Sequence, residues 1–248
     1  MKKHLPLVLL FLLALTAPAA GNPGPEALGT VQYDVRYKLG ALNTKVADAT
    51  ISLESSTWNG QSVLHSHASI KAKSIFKLFM KAGYDVDLYL TPSQIEPIYY
   101  INPFKKDGQD GKVEFTYDRN KKTIESVAVQ PPEEAVVQTL PLDGKTMDLL
   151  SALQYVRFLN LASGGSESLS LIKSGRVIQA TLTNQGIDNE RFPGHEAERM
   201  QLKMIGEGLM ENGSGNVITL WRSTGADRCI LGVEVALSSG TMIVGARL

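Results

Sequence analysis

Thr146-Met-Asp-Leu-Leu-Ser-Ala-Leu-Gln-Tyr-Val-Arg-Phe-Leu159 is the one long stretch of helical periodicity in a chain that otherwise reads as strand after strand. Leu149, Leu150, Leu153, Val156 and Phe158/Leu159 recur at helical spacing, while Ser151, Gln154 and Arg157 fall elsewhere on the wheel. Thr146 stands where an N-cap belongs, Asp148 sits near the positive end, and Gly164-Gly165 stops the chain a few residues past the last turn. A lone helix with a broad apolar stripe needs a surface to bury it, and here only a β-sheet is on offer. The expectation is a helix over 146–159 lying on the concave face of a sheet.

Outward from that helix the strand signals are dense. Val31, Tyr33, Val35, Tyr37 and Leu39 alternate with Gln32, Asp34, Arg36 and Lys38, the mark of a half-buried strand. Further strands are expected over 45–54, 61–71, 84–90, 95–101, 112–118 and 123–130. Beyond the helix they continue over 169–172, 176–183, 198–205, 217–222, 228–237 and 241–248. Asn59-Gly60 is a strong hairpin signal. Pro131-Pro132-Glu133-Glu134 marks a connection within one domain rather than a boundary. Regular short strands with turn residues between them predict a mainly β protein of about 12–13 strands, an antiparallel sheet, a sandwich or an open barrel, carrying one long and one short helix. The short helix is expected over 74–81, with Ile75, Phe76, Phe79 and Met80 on one side and Lys73, Lys77 and Lys81 on another.

The first nineteen residues read as an address. Lys2 and Lys3 precede an apolar run from Leu5 to Leu15, and Ala17-Pro18-Ala19 fits a signal-peptidase site. The run is too short for a spanning helix. Residues 20–30 are expected to be a flexible leader and 31–248 a single β-rich domain. No Cys lies near the cut, which excludes a lipid-modified N-terminus, so the expected location is periplasmic. Cys229 is the only cysteine, so the chain has no internal disulfide and depends on its core. Removing Lys2 and Lys3 leaves 23 basic against 25 acidic side chains, a balance that argues against a nucleic-acid partner.

Several groups are candidates for chemistry. His65 and His67 share a strand face about 7 Å apart, close enough to reach one ion. With no third ligand in view, surface histidines are the simpler account, and no metal site is expected. Asp85 and Asp87 form a second same-face pair of the kind used in glycoside hydrolysis. They alternate with Tyr84, Val86 and Leu88, which reads as the wet side of a strand. Cys229 has no neighbouring His, the Ser-Gly pairs lack a nucleophile elbow, and no phosphate loop is present. No catalytic residue and no cofactor is assigned. The expected ligand-binding residues are Ile75, Phe76, Phe79 and Met80, on a basic amphipathic segment suited to an apolar cavity or an anionic membrane surface, together with Trp221.

The order of motifs carries a resemblance. Tyr33 to Tyr37, Tyr84-Asp-Val-Asp-Leu-Tyr-Leu90 with Pro97-Ile-Tyr-Tyr, Phe115-Thr-Tyr-Asp118, Asp148-Leu-Leu-Ser-Ala-Leu-Gln-Tyr-Val-Arg157, Leu220-Trp-Arg-Ser223 and the closing 240–248 strand together resemble the exported bacterial family called domain of unknown function 3108. The resemblance implies a periplasmic β half-barrel of the lipoprotein-carrier (LolA/LolB-like) type, plugged by helices, and brings no catalytic residues. Because strand-borne apolar surface is abundant and no catalytic constellation is in view, the expected function is a non-enzymatic binder or carrier of an apolar ligand, such as a lipid or a lipid-modified partner, with peripheral contact to the envelope membrane. The alternatives are an enzyme acting on envelope polymers, centred on Asp85/Asp87 or His65/His67, and a structural envelope protein without a cavity. The oligomeric state is not legible.

Overall fold

The computed structural model describes residues 23–73, 84–106, 108–206 and 215–248. Among these residues the chain forms a fifteen-stranded sheet and one α-helix. Eight strands precede the helix: β1 (Gly29–Leu39), β2 (Leu42–Trp58), β3 (Gln61–Ala72), β4 (Tyr84–Leu90), β5 (Pro97–Lys106), β6 (Gln109–Asp118), β7 (Thr123–Val129) and β8 (Val136–Pro141). A two-residue strand β9 (Thr146–Met147) leads into the helix α1 (Leu149–Phe158). Six more follow: β10 (Ser166–Lys173), β11 (Arg176–Ile187), β12 (Ala197–Met204), β13 (Val217–Ser223), β14 (Ile230–Leu237) and β15 (Gly240–Ala246).

The sheet is two meanders joined back to back. Strands β1 to β8 step outward in one direction, β15 to β9 step outward in the other, and the β1–β15 ladder (Tyr33 opposite Ala246, Tyr37 opposite Met242) unites them. Every pairing is antiparallel except β9 with β10. The hairpin joining β2 to β3 turns on Asn59 and Gly60, both at positive φ, as its Asn-Gly pair requires.

The sheet is strongly curled. Laid flat, fifteen strands at about 4.8 Å spacing would put β8 and β9 roughly 67 Å apart. The chain crosses from Pro141 at the end of β8 to Thr146 at the start of β9 in five steps, at most about 18 Å. On the way, Leu142 N donates to Lys122 O on one side of the seam, and Ser170 N donates to Lys145 O on the other. Gly175, in the turn between β10 and β11, lies directly against Gln138 of β8. The two ends of the sheet therefore face each other, although no strand ladder closes the ring.

The helix fills the concave side and is held from all around it. Gln154 Nε2 donates to Ser66 of β3, Tyr117 of β6 bonds to Asp148, and Arg222 of β13 bonds to the last turn. The main core runs from β2 round to β14 and includes Ala152, Tyr155, Val156 and Leu159 of this segment.

Three expectations need correction. The helix is shorter than 146–159, and its N-cap is Asp148, not Thr146. Asp148 has extended backbone and its Oδ1 accepts from Ser151 N at 2.9 Å, while Thr146 is occupied as a strand residue opposite Ser170. The sheet has fifteen strands, not 12–13. Those missed are β9, too short to show a period, and β8, whose side chains are nearly all exposed and so do not alternate. The fifth strand starts at Pro97 rather than Ile95, because Ile95 is a buried turn residue at positive φ. The signal segment 1–19 and the short helix 74–81 lie outside the described residues. Of the expected leader, Pro25–Ala27 forms a 3-10 turn with Ala27 buried against the main core.

Candidate ligand cavity

The stripe Leu149, Leu153 and Arg157, flanked by Leu150 and Gln154, follows i, i+4 spacing along α1 and faces away from the helix's tightest contacts. Opposite it, inward side chains of β1, β2, β3, β14 and β15 stop short of the helix. The gap is a cavity of about 580 Å³. Its wall is formed largely by aliphatic groups such as Val31, Ile51, Ile70, Val235, Met242 and Val244. Leu149, Leu150 and Leu153 are only half-buried because they line this space, whereas Val156 and Leu159 are closed off by the core. Tyr84 and Glu26, both exposed, bring the lining to the surface.

Polar groups gather at two places on the wall. Near the start of α1 the hydroxyls of Tyr84 and Tyr100 lie 3.5 Å apart. Near its end stands Arg157, which is 9% exposed. Its Nη2 donates to the carbonyls of Ala27 (2.7 Å) and Asp227 (3.2 Å), its Nε to that of Arg228 (3.1 Å), and its Nη1 to Gln154 Oε1 (2.9 Å). Beside it on the wall stand Tyr33 and Cys229. Burial raises the pKa of both and lowers that of Arg157, since each charged form loses its hydration.

Both helix ends are fixed by buried charged groups. The Asp148 carboxylate accepts from Ser151 N, Ser151 Oγ and Tyr117 Oη at the positive end of the helix. Burial nonetheless pushes its pKa up, against the pull of those bonds. Arg222 binds the last carbonyls and is neutralised by Glu198.

The histidine and aspartate pairs come together, but on the outer face. In the β3–β4 register His67 stands opposite Asp87. His65 Nε2 lies 2.7 Å and His67 Nδ1 3.1 Å from Asp87 Oδ1, His67 Nε2 lies 3.0 Å from Asp85, and His65 Nδ1 lies 3.2 Å from Glu54. Tyr89 stacks on His65 at 4.7 Å and on Trp58 at 5.6 Å, and Trp58 stacks on Tyr99 at 5.5 Å. This is a hydrogen-bonded surface patch backed by rings, with the sheet between it and the cavity. Among the described residues no group of three or more His, Cys, Asp or Glu is arranged to hold a metal ion.

Of the sequence-predicted binding residues, Ile75, Phe76, Phe79 and Met80 lie outside the described residues. Trp221 is described and is not part of the cavity wall. Its indole donates to Asp188 Oδ2 at 2.8 Å, its ring meets Phe192 edge-on at 5.9 Å, and Arg191 lies over it. Arg157, Gln154 and Tyr33, which are among the polar residues on the cavity wall, carry no site signal of their own in the sequence. The signal that points to Arg157 is its i+4 and i+8 spacing from Leu153 and Leu149.

No curated protein matches this sequence. Among solved structures, a crystal structure of a beta-barrel-like protein of domain of unknown function DUF1849 from Brucella abortus is similar, with a TM-score of 0.49 and 7% sequence identity over 88% of this chain and 94% of that one. Residues 32–244, nearly the whole sheet and its helix, match the model of a family described as protein of unknown function (DUF3108), and the chain belongs to that family.

Proposed function

We propose that this protein is a non-enzymatic binder or carrier of an apolar ligand, working in the periplasm after export on the 1–19 segment. The observation that supports the reading is the cavity of about 580 Å³ between α1 and the concave face, which falls within the roughly 300–1,000 Å³ range of small-molecule sites. A well-packed interior leaves few voids larger than a water molecule, so a space of this size lined by aliphatic side chains calls for an occupant. The lipoprotein-carrier likeness belongs to this same reading, as does peripheral contact with the envelope membrane.

The test is extraction of the protein purified from its native compartment, followed by mass spectrometry of what co-purifies, with an uncharged fluorescent apolar probe titrated into the stripped protein. A stoichiometric amphiphile or lipid, and saturable probe binding that it displaces, is the expected result. Empty protein that binds no apolar probe would remove the carrier reading. N-terminal sequencing that finds Met1 on the folded, mature protein would remove export.

A further inference from the structure

We infer that the cavity takes an amphiphile with a singly negative head, and that Arg157 is the group that pairs with that head. The inference rests on the ligand-binding reading and names the chemistry of its ligand.

The protein has two nearly fully buried guanidinium groups on its concave side, and it treats them differently. Arg222, 1% exposed, has a carboxylate partner: its Nε donates to Glu198 Oε2 at 3.0 Å and its Nη2 to the same oxygen. Arg157, 9% exposed, has none among the described residues. All four of its hydrogen bonds go to neutral oxygens, three backbone carbonyls and the Gln154 amide. The acids nearest to it on the cavity wall are Glu26 and Asp227, both exposed, and the Asp227 carboxylate is engaged by Ser223 Oγ. The Phe158 ring, 5.1 Å from the guanidinium, is a favourable surface for a cation but carries no counter-charge. An arginine stays protonated even when buried, so the cavity wall carries a real positive charge, which the exposed Asp227 carboxylate favours from nearby but which no ion pair among the described residues neutralises.

The donor count leaves room for a ligand. A guanidinium offers five N–H groups, and the four bonds leave one Nη1–H without an acceptor among the described residues. The Tyr33 hydroxyl stands beside it as a second, neutral donor. From this pole the helix stripe runs back through Leu153 to Leu149, about 12 Å along the axis, with a largely apolar wall opposite. The shape is that of a one-headed amphiphile: anion at Arg157, hydrocarbon along the leucines. A single cation matches a single negative charge. A carboxylate therefore fits better than a phosphate monoester, which carries about −1.5 to −2 at neutral pH.

The test needs no mutation for its main arm. Full-length mature protein is loaded with uncharged N-phenyl-1-naphthylamine, which is displaced by dodecanoate, dodecanol or dodecyl phosphate. The expected order is dodecanoate first, ahead of dodecanol by about 10- to 100-fold, the range for a hydrogen bond to a charged group in a buried site. Dodecyl phosphate should follow dodecanoate. In Arg157→Gln the margin of dodecanoate over dodecanol should collapse while the uncharged probe still binds, and Arg157→Lys should keep it. Equal displacement by acid and alcohol in the unmutated protein would overturn the assignment of Arg157 while leaving the cavity reading intact. A phosphate that outcompetes the carboxylate would overturn the singly charged head. Failure of the probe itself to bind would remove both inferences together.

Discussion

Arg222 Nη1 lies 2.6 Å from the carbonyl oxygen of Leu159, so the last turn of the helix is closed by a strand residue rather than by its own sequence. The same nitrogen also reaches Val156 O at 2.6 Å, while the other side of the guanidinium is held by Glu198. One side chain thus satisfies the helix's orphan carbonyls, complements its negative end and ties it to β13.

Replacing Arg222 by Met should therefore be severe. It strands Glu198 and at least two buried carbonyls, and breaking such a pair typically costs about 3–5 kcal/mol. Arg222→Lys should recover only part of this, because an ammonium cannot fork between a carboxylate and a row of carbonyls. Urea unfolding at neutral pH gives the measurement. A loss below about 1 kcal/mol in the Met variant would mean that the helix end is held by something else.

At the other end of the helix, Asp148 makes a prediction about pH. Burial raises its pKa in the folded state, so folding favours the protonated form. The sign follows: its contribution is fully present below the unfolded value of about 3.9 and is lost as pH rises through the folded value. Asp148→Asn keeps one cap acceptor and does not titrate. The stability of the unmutated protein relative to Asp148→Asn should accordingly be more favourable at pH 4 than at pH 7, by paired thermal or urea unfolding. The opposite ordering would show that the cap bonds from Ser151 and Tyr117 outweigh desolvation. Asp148→Ala, with no acceptor, should be less stable than Asp148→Asn by about 1–2 kcal/mol at either pH.

Leu153 and Leu159 look alike in sequence and should behave differently. Leu159 is fully buried in the core, and its truncation to Ala should cost about 2–5 kcal/mol. Leu153 is half-buried on the cavity wall, so Leu153→Ala should cost distinctly less while changing the affinity for an apolar probe. Calorimetric melting and probe titration on the two variants separate the roles. Equal stability losses would place Leu153 in a closed core and shrink the candidate site.

What could be read in advance, and what could not, follows from the range of each interaction. The strand Tyr84–Leu90 shows its limits because every second residue is either buried or wet, and the structure keeps those bounds. The strand Val136–Pro141 is invisible because an exposed edge imposes no alternation. The curling of the sheet depends on the short crossing between β8 and β9, a non-local closure that no local pattern encodes. The same limit hid the meeting of His65, His67, Asp85 and Asp87. Alternation gives the shared face of each pair, but only the β3–β4 register, set across the 74–83 connection, brings the pairs together. The cavity was hidden for another reason. An apolar stripe reads the same whether it meets a wall or a void, so Leu149, Leu150 and Leu153 could not be told from Val156 and Leu159.

The last prediction uses Cys229 as a reporter of the cavity. The thiol is 6% exposed, lies on the cavity wall beside Tyr33 and Arg157, and has its pKa raised chiefly by burial. The thiolate is the reactive form, so at pH 8 the folded protein should react with a thiol reagent far more slowly than the unfolded chain. With one cysteine in the sequence, the signal has a single origin. The residual rate in the folded state measures access through the cavity or through local opening, and these two routes differ in their response to ligand. If the reagent travels through the cavity, an apolar amphiphile that fills it should slow modification in proportion to occupancy, with the same midpoint as probe displacement. If it arrives by local opening of the 223–230 loop, mild denaturant should accelerate it and the amphiphile should not shift it beyond the change in global stability. Following modification by mass spectrometry at several amphiphile concentrations distinguishes the cases. Protection that saturates with the displacement curve is expected, and a rate indifferent to the amphiphile would detach Cys229 from the ligand site.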